Sequence, residues 1–269
     1  MIFTDTRKIS FVHPGLPNGC ISPNILTEAD LEEFPGMAGT GFIARRGDRL
    51  YYITARHCLT KDHKTDIGVL AARLHIPFRL EGRTVTTSDY VQFEHALSLK
   101  HDSEDLPGEL IDLLVLLISK PVKEKDRKHL LFRAVKLPPT GQWLDGFFEQ
   151  SLVQESISDG RGPKFTVIGY PKYGTSSEIS YPEKSGDSLE VKTQAAKFHG
   201  YLAEGFCPDR FKLTGVTWEH DLNGFSGSPV FVAFNNEHGP QYGLAGMLVT
   251  GGNGMAQFIK ISVITQALK

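Results

Sequence analysis

Apolar residues come along this chain in short runs rich in Val, Ile, Leu, Phe and Tyr, and Gly, Pro, Asn or Asp separates most runs from the next. Runs of that length and composition predict an all-β protein of the sandwich or barrel kind. Residues 41–44 and 50–54 flank Arg45-Arg46-Gly47-Asp48, which carries hairpin-turn chemistry. Further strands are predicted over 68–74, 84–87, 90–93 and 113–118, then over 165–169, 189–198, 211–218, 230–234, 242–249 and 258–261. Helical patterns are few: 27–33, 55–59, and a terminal helix over 262–268 capped by Ser262. The strands divide into two groups of about six each. Between them lies a charged stretch, 120–129, that reads as a solvated loop, and Asp159-Gly160-Arg161-Gly162-Pro163 is turn chemistry.

Composition narrows the classes of function. The chain has 269 residues, 40% apolar and 22% charged, which suits a globular protein with a sizeable core. A formal net charge of -2 argues against a nucleic-acid partner held by a broadly basic surface. No apolar run is long enough to span a bilayer, and the stretch from Met1 to Lys8 lacks the apolar centre of a secretory signal. Cys20, Cys58 and Cys207 are an odd, widely spaced set, which fits a reduced, cytoplasmic protein better than a disulfide scaffold. His95 and His101 have no carboxylate or cysteine at ligand spacing, so no metal is expected. Gly251-Gly252-Asn253-Gly254 lacks the lysine and helix start of a phosphate loop and reads as a strand turn.

The candidate chemistry lies in Gly224-Phe225-Ser226-Gly227-Ser228-Pro229. A serine between glycines sits on a tight loop, where the backbone N–H groups of Gly224 and Ser226 are candidates for an oxyanion hole. A serine hydroxyl needs a base, and His57 ends the strand-like stretch Tyr51-Tyr52-Ile53-Thr54-Ala55-Arg56-His57. The base in turn needs a carboxylate to fix its tautomer. Asp112 precedes the apolar run 113–118, and a charge at such a strand mouth must be solvated or paired. Asp66 lies too soon after His57 to leave room for intervening barrel strands, and Asp102 and Asp105 sit in a polar stretch that reads as a loop. The order is therefore His57, Asp112, Ser226, whereas α/β-hydrolases run Ser, Asp, His.

These motifs resemble those of trypsin-like serine proteases over residues 39 to the C-terminus. Gly39-Thr40-Gly41-Phe42, Ile53-Thr54-Ala55-Arg56-His57-Cys58 and Asp112-Leu113-Leu114-Val115-Leu116 match three signatures in order. Val167-Ile168-Gly169-Tyr170-Pro171 and Ser226-Gly227-Ser228-Pro229-Val230-Phe231 are similar to the forms in bacterial glutamyl-endopeptidase-like members. The resemblance implies two six-stranded antiparallel β-barrels, a chymotrypsin-like double barrel with a short C-terminal helix. It divides one peptidase domain into an N-terminal extension (1–38), a first barrel (39–135), a linker (136–164) and a second barrel with the helix (165–269). The activity it implies is that of a serine endopeptidase needing no cofactor, acting on a protein or peptide substrate and open to control by a regulatory protein partner. The rival is a catalytically silent or partner-gated member that uses its cleft as a peptide-binding module.

Two departures from the family pattern matter. Phe225 stands where activated zymogens carry an aspartate for the new amino terminus, so the oxyanion loop is expected to be held by packing of this ring or ordered by another trigger such as a partner protein. Cys58 has no cysteine near Gly39, so the disulfide of secreted relatives is not expected. By family spacing His220, with Asp221 beside it, lies at the base of the pocket for the residue before the scissile bond. Val249, Thr250 and Gly251 lie on the strand that pairs with substrate. An aspartate at the base favours Arg or Lys and a histidine accepts Glu or Asp. Leu248 replaces the second histidine of glutamyl-specific members, which leaves a basic or mixed preference as the expectation.

Overall fold

The computed structural model describes residues 11–26, 36–60, 65–78, 84–86, 90–100, 110–121, 123–149, 161–173, 178–180, 188–203, 208–236 and 239–268. Their first half holds β1 (Ile21–Leu26), β2 (Gly36–Arg46), β3 (Arg49–Thr54), α1 (Ile67–Arg73), β4 (Leu74–His75), β5 (Thr84–Thr86), β6 (Phe93–Leu97) and β7 (Leu114–Ile118). Next come α2 (Glu124–Arg133), β8 (Val135–Lys136) and α3 (Trp143–Glu149). The second half holds β9 (Lys164–Gly169), β10 (Glu178–Ser180), β11 (Ser188–Lys192), β12 (Ala196–Ala203) and β13 (Arg210–Thr214). It ends with β14 (Pro229–Asn236), β15 (Gly239–Gly252), β16 (Met255–Lys260) and α4 (Ile261–Gln266).

Two β units result. The second is a closed barrel in the order β12-β13-β16-β15-β14-β9. The first is a seven-stranded sheet in the order β4-β1-β2-β3-β7-β6, with β8 pairing in parallel on β2. A small sheet, β10-β11-β5, links the two halves of the chain. Both units are mostly antiparallel, as expected of an all-β chain, and the expected helix stands at the C-terminus.

Alternation of side chains explains how the first sheet is built. Phe42, Ala44, Ile53, Leu113 and Val115 face one core, which continues into the second barrel through Phe165, Val167, Val230 and Phe258. Ile43, Tyr52, Leu114 and Leu116 face a second core closed by Leu70 of α1 and Leu130 of α2. Because both faces of the sheet are buried, the run 113–118 is apolar at every position rather than at every second one. The second barrel is filled with aromatic rings: Phe165 and Phe211 each lie 5.6 Å from Phe258.

Several elements differ from the sequence expectations, each for a local reason. Of residues 68–74, all but Leu74 lie in α1 rather than a strand, because Asp66 Oδ1 accepts the N–H groups of Gly68 and Val69 and caps a helix start. Most of the charged stretch 120–129 is helix, not loop: α2 exposes Glu124, Lys125 and Lys128 and buries Leu130. β1 lies within the segment assigned to the N-terminal extension, yet it pairs with β2 from Ile21 to Leu26. The terminal helix begins at Ile261, with Lys260 at its cap position instead of Ser262. Residues 55–59 hold a single 3-10 turn, Arg56–Cys58. The proposed helix over 27–33 and the residues His101, Asp102, Asp105 and Cys207 lie outside the described residues.

Candidate active site

The site forms where the end of β3, the start of β7 and the loop before β14 meet. β3 ends at Thr54, and the 3-10 turn that follows turns His57 out of the sheet. Asp112 sits between buried Ile111 and Leu113, one residue short of β7's flank. Its carboxylate holds the histidine at two points: Oδ1 accepts the His57 backbone N–H at 2.9 Å, and Oδ2 lies 2.6 Å from Nδ1. The second contact fixes Nδ1 as the protonated nitrogen and leaves Nε2 as the basic one. The side chains are 42% and 23% exposed, so the pair lies at a cleft mouth rather than in a core. Asp112 first, then Cys58, raises the His57 pKa from 6.5 to about 10, while burial works the other way. Asp66 is committed to capping α1.

The serine loop is packed against the first sheet. Gly224 and Gly227 have φ of +91° and +86°, where a side chain is strained. A Cβ at Gly224 would also lie 2.3 Å from Tyr170 O, and one at Gly227 would lie 1.9 Å from Thr40 O. Phe225 is fully buried, edge-on to Phe198 at 4.9 Å and to Trp218 at 5.2 Å. The N–H groups of Phe225, Gly227 and Ser228 are bonded to Leu222 O, Leu248 O and Phe225 O. No acceptor among the described residues takes the N–H of Gly224 or Ser226. Two such N–H groups on one turn could together bind an anionic oxygen.

The Ser226 hydroxyl donates to Val249 O at 3.2 Å, not to His57. The group beside Nε2 is instead the free thiol of Cys58, whose Sγ lies 4.0 Å from Nε2 and 3.5 Å from Ser226 O. Beyond its bonds to the Ser226–Ser228 segment, β15 carries on past the end of β14 pairing at Met247, so Val249, Thr250 and Gly251 run along the side of the serine loop.

The two residues that family spacing puts at the pocket base lie on an exposed turn. His220 is exposed and stacks on Tyr173, with ring centroids 3.9 Å apart. Asp221 is exposed too, and its Oδ1 is taken by the Asn223 N–H at 3.0 Å. The Trp218 Nε1–H bond to Asp221 O at 3.0 Å holds this stretch as a surface turn, so neither side chain points inward.

Sequence reasoning missed the supports beneath the loop. Thr40 binds it two ways: its N–H donates to Ser226 O and its hydroxyl donates to Gly224 O, each at 2.8 Å, while the same hydroxyl accepts the Tyr170 N–H at 2.9 Å. Behind Thr40, buried Asn24 donates to Ala38 O and to Thr54 Oγ1, each at 2.9 Å, and accepts from the Tyr52 hydroxyl at 2.8 Å. Isolated polar residues in apolar strands were the available signal, since a buried polar group must be hydrogen-bonded.

The packing of Phe225 yields a prediction. Phe225→Ala removes a fully buried ring and is expected to destabilise the protein by about 3–5 kcal/mol. It should also lower turnover at least tenfold, because the adjoining Gly224 N–H loses its anchor. Turnover measured at a temperature where circular dichroism shows the variant fully folded separates the two effects; unchanged turnover there would show that the ring does not hold the loop.

No protein-family model matches the chain, and no curated protein does. Among solved structures, human heparin binding protein superposes with a TM-score of 0.47 at 12% identity, covering 98% of this chain and 92% of that one. The VesB protease of Vibrio cholerae superposes with a TM-score of 0.44 at 11% identity, covering 97% of this chain and 67% of that one.

Proposed function

We propose that the protein is a serine endopeptidase with His57 as general base and acid, Asp112 as its orienting carboxylate and Ser226 as nucleophile. The observation that carries this reading is the two-point hold of Asp112 on His57, 2.6 Å at Nδ1 and 2.9 Å at the backbone N–H, across the cleft from the serine loop. Ser226 turns from Val249 O toward Nε2, its Oγ attacks the scissile carbonyl carbon, and Nε2 takes its proton. The oxyanion is received by the N–H groups of Gly224 and Ser226. His57 then gives the proton to the leaving amine, and a water activated by the same nitrogen hydrolyses the acyl-enzyme. Substrate adds along Val249, Thr250 and Gly251 by main-chain hydrogen bonds. The free thiols of Cys20 and Cys58 suit a reducing, cytoplasmic setting.

One observation favours the rival, a silent or partner-gated peptide-binding module: the resting Ser226 hydroxyl is engaged by Val249 O. Labelling the purified full chain with a fluorophosphonate decides between them. Covalent modification at Ser226 supports the peptidase, and a folded protein that takes no label supports the module.

The raised His57 pKa sets a pH dependence. The base must be neutral, and its pKa of about 10 leaves it mostly protonated at pH 7. kcat/KM is therefore expected to climb between pH 7 and 10; a profile flat above pH 7.5 would contradict it. For stability the sign is opposite. A histidine raised on folding contributes most below its unfolded value near 6.5, and that contribution fades as the pH rises towards 10.

A further inference from the structure

Leu222 stands four positions before Ser226 and is 6% exposed. Its carbonyl accepts the Phe225 N–H at 3.0 Å, so it belongs to the same turn that presents the serine. Its side chain runs across to β15: Cδ1 lies 2.2 Å from where a Cβ on Gly251 would be. Gly251 is two residues beyond Val249, whose carbonyl lies 3.2 Å from the Ser226 hydroxyl. The isobutyl group thus lies against the β15 edge at Gly251, on the turn that presents the serine.

That position has a defined use if Ser226 attacks a peptide laid along Val249–Gly251. With the acyl carbon at Ser226 Oγ, the residue that carries it lies next to this edge. Its side chain must enter the crevice between the edge and the turn. Neither Asp221 nor His220 reaches it: Asp221 is tied to the Asn223 N–H, and His220 lies outward against Tyr173. We infer that Leu222 determines specificity by filling this crevice, so that the enzyme cleaves after small, uncharged residues such as alanine and discriminates against basic, acidic and aromatic ones. The inference rests on the peptidase reading given above and replaces the basic or mixed preference expected from spacing alone. A side chain of arginine or phenylalanine needs the volume that the leucine already occupies, and two apolar groups do not share one site at packed density.

The test uses the purified full chain and fluorogenic peptides that differ only in the residue before the scissile bond: Ala, Val, Phe, Arg or Glu. The alanine substrate is expected to exceed the Phe, Arg and Glu substrates by at least tenfold in kcat/KM. Leu222→Ala opens the crevice and should raise the Phe to Ala ratio of kcat/KM by tenfold or more, without improving Arg or Glu. Leu222→Val, a smaller cut for use should the alanine variant fail to fold, should move the ratio the same way by a few-fold. Each protein is first labelled with a fluorophosphonate. Wild type that labels but prefers Phe, Arg or Glu, or cleaves no alanine peptide, overturns the inference alone. A folded variant whose ratio stays at the wild-type value overturns it too. Wild type that does not label overturns the peptidase reading and this inference with it.

Discussion

Ser226→Ala is expected to abolish both peptide hydrolysis and fluorophosphonate labelling while leaving the fold intact. The side chain lost is only partly buried, and its hydrogen bond to Val249 O is not part of the barrel ladder. The loop keeps its shape through Gly224, Phe225 and Thr40, so the thermal transition should move little. The catalytic effect is another matter. Nucleophile and base act as one unit, and removing either costs about as much as removing both, on the order of 10⁶-fold in turnover. His57→Ala should therefore match Ser226→Ala on the same peptide assay, and the double variant should lose no more than either. Near-normal turnover in a folded single variant would sink the assignment. A double variant much slower than both singles would mean that the two side chains do not work together.

Why the pairing of His57 with Asp112 was legible in the sequence, and the surroundings of the serine loop were not, has a physical basis. His57 and Asp112 are placed by strands β3 and β7, whose apolar runs fix register over several residues on both faces. Position relative to such strands can be read from pattern alone. The strands of the second barrel were legible for the same reason. The crevice beside Ser226, by contrast, depends on whether His220, Asp221 or Leu222 turns inward. Trp218 Nε1–H and the Asn223 N–H, bonded to Asp221, decide that through two local contacts that leave no periodic trace. Residues 68–74 were misjudged because seven mostly apolar positions suit a short strand as well as a short helix. The Asp66 cap that settles it lies outside the run. β1 was missed because Pro23 and Asn24 break its apolar pattern, yet Asn24 is what ties Thr40 and Thr54 together beneath the serine loop.

The orienting carboxylate gives the second large effect. Asp112→Asn is nearly isosteric, and an asparagine oxygen can still accept the His57 backbone N–H that Oδ1 now takes at 2.9 Å. At the other contact the amide presents either an N–H donor to Nδ1 or an uncharged acceptor. If it donates, the imidazole proton shifts to Nε2, the nitrogen that must receive the serine proton, and the base is in the wrong tautomer. Loss of the full negative charge also removes what stabilises the imidazolium formed during attack. Together these are expected to lower turnover by about 10⁴-fold. Because Asp112 is the largest cause of the raised His57 pKa, the residual activity should also show its acidic limb displaced toward the ordinary value of 6.5. That shift is a readout that mere disturbance of the β7 entrance would not produce. Asp66→Asn, which touches only the α1 cap, serves as the control: it should cost some stability and leave the pH profile unchanged. If Asp66→Asn produced the large loss and Asp112→Asn did not, the carboxylate would be misassigned. If Asp112→Asn slowed the reaction with the limb unmoved, Asp112 would be supporting the fold rather than the imidazole.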